Sequence, residues 1–127
     1  MSLTITGGKI ASVAPAGTAA ADPDANIIDA QGKFVIPGLN DMHAHILGES
    51  DDIGGSLSLL LANGITGFRQ MAASEELLRA RREGKLPIKV TDPELLAMPG
   101  AILTPLNAGT PARAIKTINA QKAAGAD

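Results

Sequence analysis

Hydrophobic positions follow two different patterns along the chain, and the change comes near residue 34. Before it, short β-branched runs flank turn signals: residues 3–6 (LTIT) and 9–13 (KIASV) surround Gly7 and Gly8. Two further runs, within residues 26–36, surround the turn sequence DAQGK. Runs of this kind bounded by glycine are typical of paired strands. We therefore predict a small β-rich domain over residues 1–34.

Apolar strands and helical segments alternate from residue 35 onward. The predicted order is a strand ending near residue 45, a helix over 57–63, a strand over 65–71, a helix over 74–83, a strand region within 88–103 and a helix over 111–124. Asn63 and Gly64 provide the expected stop of the first helix. Strands that alternate with helices predict an α/β fold with a parallel sheet over residues 35–127.

Composition narrows the possible partners. Hydrophobic residues make up 45% of the chain, which is typical of a globular protein, and a formal net charge of −2 gives no basic surface for nucleic acid. No apolar run is long enough to cross a bilayer, and the first residues lack a signal-peptide pattern. The absence of cysteine is compatible with the cytoplasm. We expect a cytoplasmic protein that binds a small-molecule substrate, without nucleic acid or membrane.

Two histidines at the end of the first strand of this second segment are the candidate chemistry. His43 and His45 are two residues apart, so on an extended strand both imidazoles point to one face and can bind one metal ion. The alternative is a pair in a surface loop with no ligand. A catalytic zinc has about three protein ligands, yet the chain has two histidines and no cysteine. Carboxylates, another chain or residues outside this polypeptide would have to complete the site.

The surrounding sequence carries a family resemblance. Residues 28–45 (IDAQGKFVIPGLNDMHAH) and 61–69 (LANGITGFR) resemble the opening of the amidohydrolase superfamily, especially its imidazolonepropionase-like and prolidase-like members. The resemblance covers almost the whole chain. It implies the amino-terminal part of a (β/α)8 TIM barrel, about three βα units, preceded by strands of a small composite β-sandwich. It also implies that His43 and His45 bind the more buried ion of a centre with one or two divalent metals: zinc, or iron or manganese.

The implied activity is hydrolysis of C–N bonds in cyclic amides, N-acyl amino acids or dipeptide-like substrates by a metal-activated hydroxide. A complete barrel takes about 250 residues, and the family's bridging lysine, later histidines and catalytic aspartate have no counterpart in these 127 residues. We therefore expect an inactive amino-terminal fragment, with no catalytic or cofactor-binding residue of its own. Its open strand edges predict self-association or association with the missing part of the barrel. The alternative is a non-catalytic truncated α/β module with a relic histidine pair.

Three residues near the histidines bear on how closely the chain follows the family pattern. Asn40 stands where the family usually has an aliphatic residue, and Gln70 stands where an aspartate is common. Contacts at the end of the second barrel strand are therefore expected to differ from those of relatives. Asp41 matches the family, and it either orients a ligand histidine or is a solvated turn residue.

Other polar groups have ordinary structural explanations. Lys89 could be imagined as the bridging lysine, but a solvated position before a turn is favoured. The acidic residues within 49–52 could offer carboxylate ligands, but a loop with a helix N-cap is favoured. The charged residues of 75–83 are expected to form an exposed helix face with i, i+4 pairs. The segment that leads to Thr110 is either a loop that contacts substrate or a plain connection.

Overall fold

The structure, a computed structural model, describes residues 1–18, 22–48 and 50–127. It divides the chain into two compact units, Met1–Val35 and Ile36–Asp127. Among the described residues, no helix is long and apolar enough to cross a membrane.

The first unit contains a β-hairpin. Strands β1 (Ser2–Thr6) and β2 (Lys9–Ala14) pair antiparallel. The turn between them has two glycines with positive φ, 58° at Gly7 and 73° at Gly8. Such angles suit a two-residue hairpin turn and are unfavourable for residues with a Cβ atom. The predicted hairpin is therefore present, while its membership of a β-sandwich stays a prediction.

The β-branched runs within residues 26–36 do not form strands, so this expectation was wrong. The turn between them does form, because the N–H of Lys33 donates to the carbonyl of Ala30 at 3.0 Å. Ile27, Ile28 and Phe34 are nevertheless 82%, 82% and 96% exposed. A strand requires a hydrogen-bonded neighbour, and β-branched composition does not provide one. Association with another copy or with further barrel strands would cover such residues, and it stays a prediction.

The second unit is a three-stranded parallel sheet with helical connections, which confirms the α/β class. The sheet has the order β3–β4–β5. Its elements are β3 (Leu39–Ala44), α1 (Ile53–Ala62), β4 (Ile65–Gln70), α2 (Glu75–Arg82), β5 (Glu94–Ala97), α3 (Pro105–Ala108) and α4 (Pro111–Ala124). Helix α1 begins four residues earlier than predicted, and α3 was not predicted. Closure of the sheet into a TIM barrel stays a prediction.

The core of this unit lies between the sheet and the first two helices. Phe68 on the central strand β4 is fully buried, as are Leu57 of α1 and Leu78 of α2. The other buried apolar residues are Ala44, Ile46, Leu47, Ala73 and Met98. With so few large side chains, the core depends strongly on the single buried ring of Phe68.

Helix caps explain where the helices begin. The carboxylate of Asp52 accepts the N–H of Gly55 at 2.8 Å, so the predicted N-cap ahead of α1 is confirmed. Its neighbour Glu49 lies outside the described residues. Ser74 caps α2 and Thr110 caps α4 in the same way.

The charged residues of α2 make contacts that were not predicted. Arg81 donates to the carboxylate of Asp127 at 2.5 Å, and Arg82 donates to the carbonyl of Ala123 at 3.3 Å. The expectation of an exposed face with i, i+4 pairs was wrong for these two arginines. Helix spacing predicts only neighbours within one helix, whereas here the partners lie in the last turn of α4 and in the residues after it.

Asp127 gives a prediction about pH. The N–H of Met98 donates to its carboxylate at 2.6 Å, and this bond, followed by the bond from Arg81, lowers the pKa of Asp127. A lowered folded pKa adds stability above the usual aspartate pKa of about 3.9, and this stability is lost as pH falls through the folded pKa. Urea unfolding should therefore give Asp127→Asn a lower midpoint than the unmodified chain at pH 7.

The difference should be small, below about 1 kcal/mol, because the Asp127 side chain is 46% exposed. It should shrink as the pH is lowered below about 3.9. A difference that is the same at every pH would show that the charge of Asp127 does not contribute.

Candidate metal centre

The two histidines lie together at the carboxyl end of β3. His43 is the fifth residue of the strand, and His45 follows its last residue. Their Nε2 atoms are 3.4 Å apart, and the ring centroids are 5.3 Å apart with the planes tilted by 44°. His43 is exposed and His45 is half-buried. The structure thus brings the predicted pair together, at the end of the sheet where parallel α/β folds bind ligands.

Burial of the neighbouring residues explains why both rings face the same way. Ala44 and Ile46 are buried at 7% and 9% exposure, and Leu47 at 1%. In an extended chain, successive side chains point to opposite sides. With Ala44 and Ile46 directed into the core, His43 and His45 are directed away from it.

The strand is irregular at the histidines. Asp41 pairs with Phe68 and Ala44 pairs with Gln70, so β3 uses three steps where β4 uses two. Such a bulge leaves backbone groups without ladder partners and changes the direction of side chains. The carboxylate of Asp41 accepts the N–H of His43 at 2.9 Å. Asp41 therefore holds the main chain of a candidate ligand, and a role in orienting the imidazole itself stays a prediction.

Gln70 is a buried polar residue beside this loop. Its side chain is 1% exposed, and its Oε1 accepts the N–H groups of Ile46 at 2.9 Å and Leu47 at 2.8 Å. Its Nε2 donates to the carbonyls of Leu47 at 3.2 Å and Met71 at 3.0 Å. The sequence indicated only that Gln70 departs from the family. The available signal was an uncharged polar residue at the last position of β4, directly before the loop that follows it.

The spacing of the imidazole nitrogens fits a tetrahedral metal ion. Zinc binds histidine nitrogen at about 2.0–2.1 Å, and a tetrahedral angle then places two such nitrogens about 3.3 Å apart. The observed 3.4 Å also suits a hydrogen bond between complementary tautomers. Within the described ranges, no group of three or more His, Cys, Asp or Glu side chains is assembled for a metal. The described part of the chain thus offers a bidentate pair.

Comparison with known proteins shows that parts of the chain are similar in sequence to adenine deaminases and to a dihydroorotase. An alignment with a length of 112 residues is 33% identical to adenine deaminase 2 of Bradyrhizobium sp. (strain ORS 278); it covers 80% of the chain and 19% of that relative. A region of 45 residues, 35% of the chain, is 47% identical to an adenine deaminase of Ruegeria pomeroyi and covers 8% of it. An alignment with a length of 52 residues is 42% identical to a dihydroorotase of Carboxydothermus hydrogenoformans; it covers 38% of the chain and 12% of that relative.

The chain is related to the amidohydrolase superfamily. This confirms the resemblance expected from residues 28–45 and 61–69. The matches cover less than a fifth of each relative's length. No family model and no solved structure matches. The closer likeness to imidazolonepropionase-like and prolidase-like amidohydrolases stays a prediction.

Asn40, one of the two departures from the amidohydrolase pattern, has a structural setting. A Cβ atom on Gly67 would lie 2.6 Å from Oδ1 of Asn40 and 3.0 Å from Cδ1 of Leu96. The side chains of Asn40 and Leu96 therefore close over Gly67 across the sheet, and glycine leaves them room. A polar amide is thus placed beside Gly67 on the surface of the sheet.

The remaining candidates lie elsewhere. Lys89 is exposed, and its backbone N–H donates to the carboxylate of Asp92 at 2.8 Å in the turn before β5, as the favoured interpretation expected. The segment after β5 lines an open groove of about 490 Å³ with Ile118, Gln121 and Lys122 of α4. A role of this segment in contacting substrate stays a prediction.

Proposed function

We propose that this chain provides the first two metal ligands of a metal-dependent hydrolase that cleaves C–N bonds in nitrogen heterocycles. The observation that carries the proposal is the 3.4 Å separation of the His43 and His45 Nε2 atoms at the carboxyl end of a parallel strand. The relation to adenine deaminases and a dihydroorotase supports the reaction class.

The chain's own groups would hold and orient the ion. His43 and His45, whose Nε2 atoms converge, would bind it as neutral imidazoles. Asp41 fixes the backbone amide of His43, and Gln70 fixes the two amides that follow His45. When bound, the metal supplies polarisation of the scissile group and a water of lowered pKa. We assign no proton-transfer residue to this chain.

The substrate class follows from the relatives' names. Adenine and dihydroorotate, to which those names refer, are nitrogen heterocycles, and this favours a ring compound over the N-acyl amino acids and dipeptides also expected from the sequence. The chain offers little for stacking on such a ring. It has two Phe and no Trp or Tyr, and Phe68 is fully buried. Recognition by hydrogen bonds or by residues outside this chain is therefore expected.

The experiment is a hydrolysis assay with added zinc. The 127-residue chain and the full product of its gene are incubated with adenine, dihydroorotate, other cyclic amides, N-acyl amino acids and dipeptides. Ammonia release or ring opening is measured. Each of the two proteins is also assayed with the substitution His43→Ala, as a matched variant. We expect turnover of a heterocycle by the full gene product, and its loss in His43→Ala.

Two outcomes would contradict this function. Turnover that is unaffected by His43→Ala would place the chemistry elsewhere. A full gene product that binds zinc through the pair but turns over none of these compounds would support the alternative, a non-catalytic module with a relic histidine pair.

A further inference from the structure

Gln70 uses all of its side-chain hydrogen-bonding groups on the two loops that leave β3 and β4. It accepts two amides of the β3 loop, at Ile46 and Leu47, and donates to one carbonyl in each loop, at Leu47 and Met71. The side chain is 1% exposed. A buried amide with unsatisfied groups would be costly, so this arrangement defines one geometry for both loops.

These bonds hold the chain on both sides of His45. On one side, the carbonyl of Ala44 accepts the N–H of Met71 at 2.8 Å. On the other side, the N–H of Ile46 donates to Gln70. His45 is thus the one residue between two anchored peptide groups, and both anchors belong to the end of β4.

We propose that Gln70 is the positioning residue of the metal centre. The inference rests on the proposed function, because it assumes that His43 and His45 bind a metal. By fixing the backbone around His45, Gln70 keeps the two imidazoles close to their ligating arrangement before the ion arrives. Less ordering then accompanies binding, and the affinity is higher.

The choice of glutamine has a chemical reason. An ionised aspartate, common in the family at this position, can only accept hydrogen bonds. It could not donate to the carbonyls of Leu47 and Met71, which would lose their hydrogen bonds from this side chain. Glutamine has a carbonyl for the two amides and an NH2 group for the two carbonyls. It also places no charge in the buried site.

Metal binding and the Gln70 contacts should stabilise each other. If the Gln70 contacts favour metal binding, metal binding must stabilise the Gln70 contacts by the same factor. In the unmodified chain, zinc should therefore slow hydrogen exchange of the Ile46 and Leu47 amides. The amides of β1 and β2, in the other unit, serve as the internal reference.

The variant test uses Gln70→Met, which keeps the length of the side chain and removes all four hydrogen bonds. Cobalt(II) is the probe, because its visible absorption reports the ligand geometry, and calorimetry with zinc gives the affinity. We expect a Kd about 10-fold to 100-fold higher for Gln70→Met and a changed cobalt spectrum. Leu78→Val is the matched control, because it weakens the core from α2 and should leave the Kd and spectrum unchanged.

The outcomes separate this proposal from the proposed function. If His43→Ala abolishes binding while Gln70→Met keeps the affinity and spectrum, the positioning role is wrong and the metal site stands. If His43→Ala has no effect on binding, both are wrong. If Gln70→Met does not fold, the exchange measurement on the unmodified chain decides, and rates at Ile46 and Leu47 that do not respond to zinc overturn the proposal.

Discussion

Replacement of both His43 and His45 by alanine should remove zinc binding from the chain. Four-ligand structural zinc sites bind with about 10–16 kcal/mol, or about 3 kcal/mol for each ligand, so each lost imidazole should raise the Kd roughly 100-fold. The chain has no other histidine and no cysteine to replace them. Calorimetry should give weak binding for the unmodified chain, much weaker binding for either single variant, and no detectable heat for the double variant.

A matched carboxylate variant controls for nonspecific attraction of cations. Glu94 is exposed at the first residue of β5, whereas the histidines lie at the end of β3. Glu94→Ala changes the net charge and should leave the zinc Kd unchanged. Zinc binding that survives the double histidine variant, or that Glu94→Ala removes, would mean that the ligands are carboxylates.

Phe68→Ala should destabilise the second unit more than any other single truncation in its core. Phe68 lies on the central strand β4, and it is fully buried, with 0% of its surface accessible. Truncation of a buried phenylalanine costs about 3–5 kcal/mol, against about 5–15 kcal/mol for the whole stability of a domain. Urea unfolding followed by circular dichroism should give a much lower midpoint or loss of the cooperative transition.

The chain provides its own control, because it has two phenylalanines. Phe34 is 96% exposed in the first unit, so Phe34→Ala should change stability by less than about 0.5 kcal/mol. Equal effects of the two substitutions would show that Phe34 is covered in solution. In that case the predicted association with another copy or with further strands would be the explanation.

The elements that could be predicted from the sequence are those defined by neighbouring residues. The last helix was expected over 111–124 and has these bounds, because Thr110 supplies the N-cap, Pro111 suits the first turn and Gly125 ends the helix with a φ of 106°. The proximity of His43 and His45 was also predictable, because residues two apart in an extended segment lie on the same side.

The features that were missed depend on contacts between distant parts of the chain. Gln70 forms hydrogen bonds with residues 23 and 24 positions away in the sequence, and Arg81 forms one with a residue 46 positions away. The bulge at Asp41 reflects pairing with a second strand. The prediction of strands within residues 26–36 failed for the same reason. These residues have the composition of a strand, but no strand in the described part of the chain pairs with them. Local propensity describes none of these interactions.

The most direct test of the metal site is a zinc titration followed by nitrogen NMR of the two imidazoles. The convergence of both Nε2 atoms at 3.4 Å predicts that one equivalent of zinc shifts both Nε2 resonances together, with the Nδ1 nitrogens remaining uncoordinated. A shift of only one histidine, coordination through Nδ1, or separate saturation of the two rings would contradict a shared ion at His43 and His45.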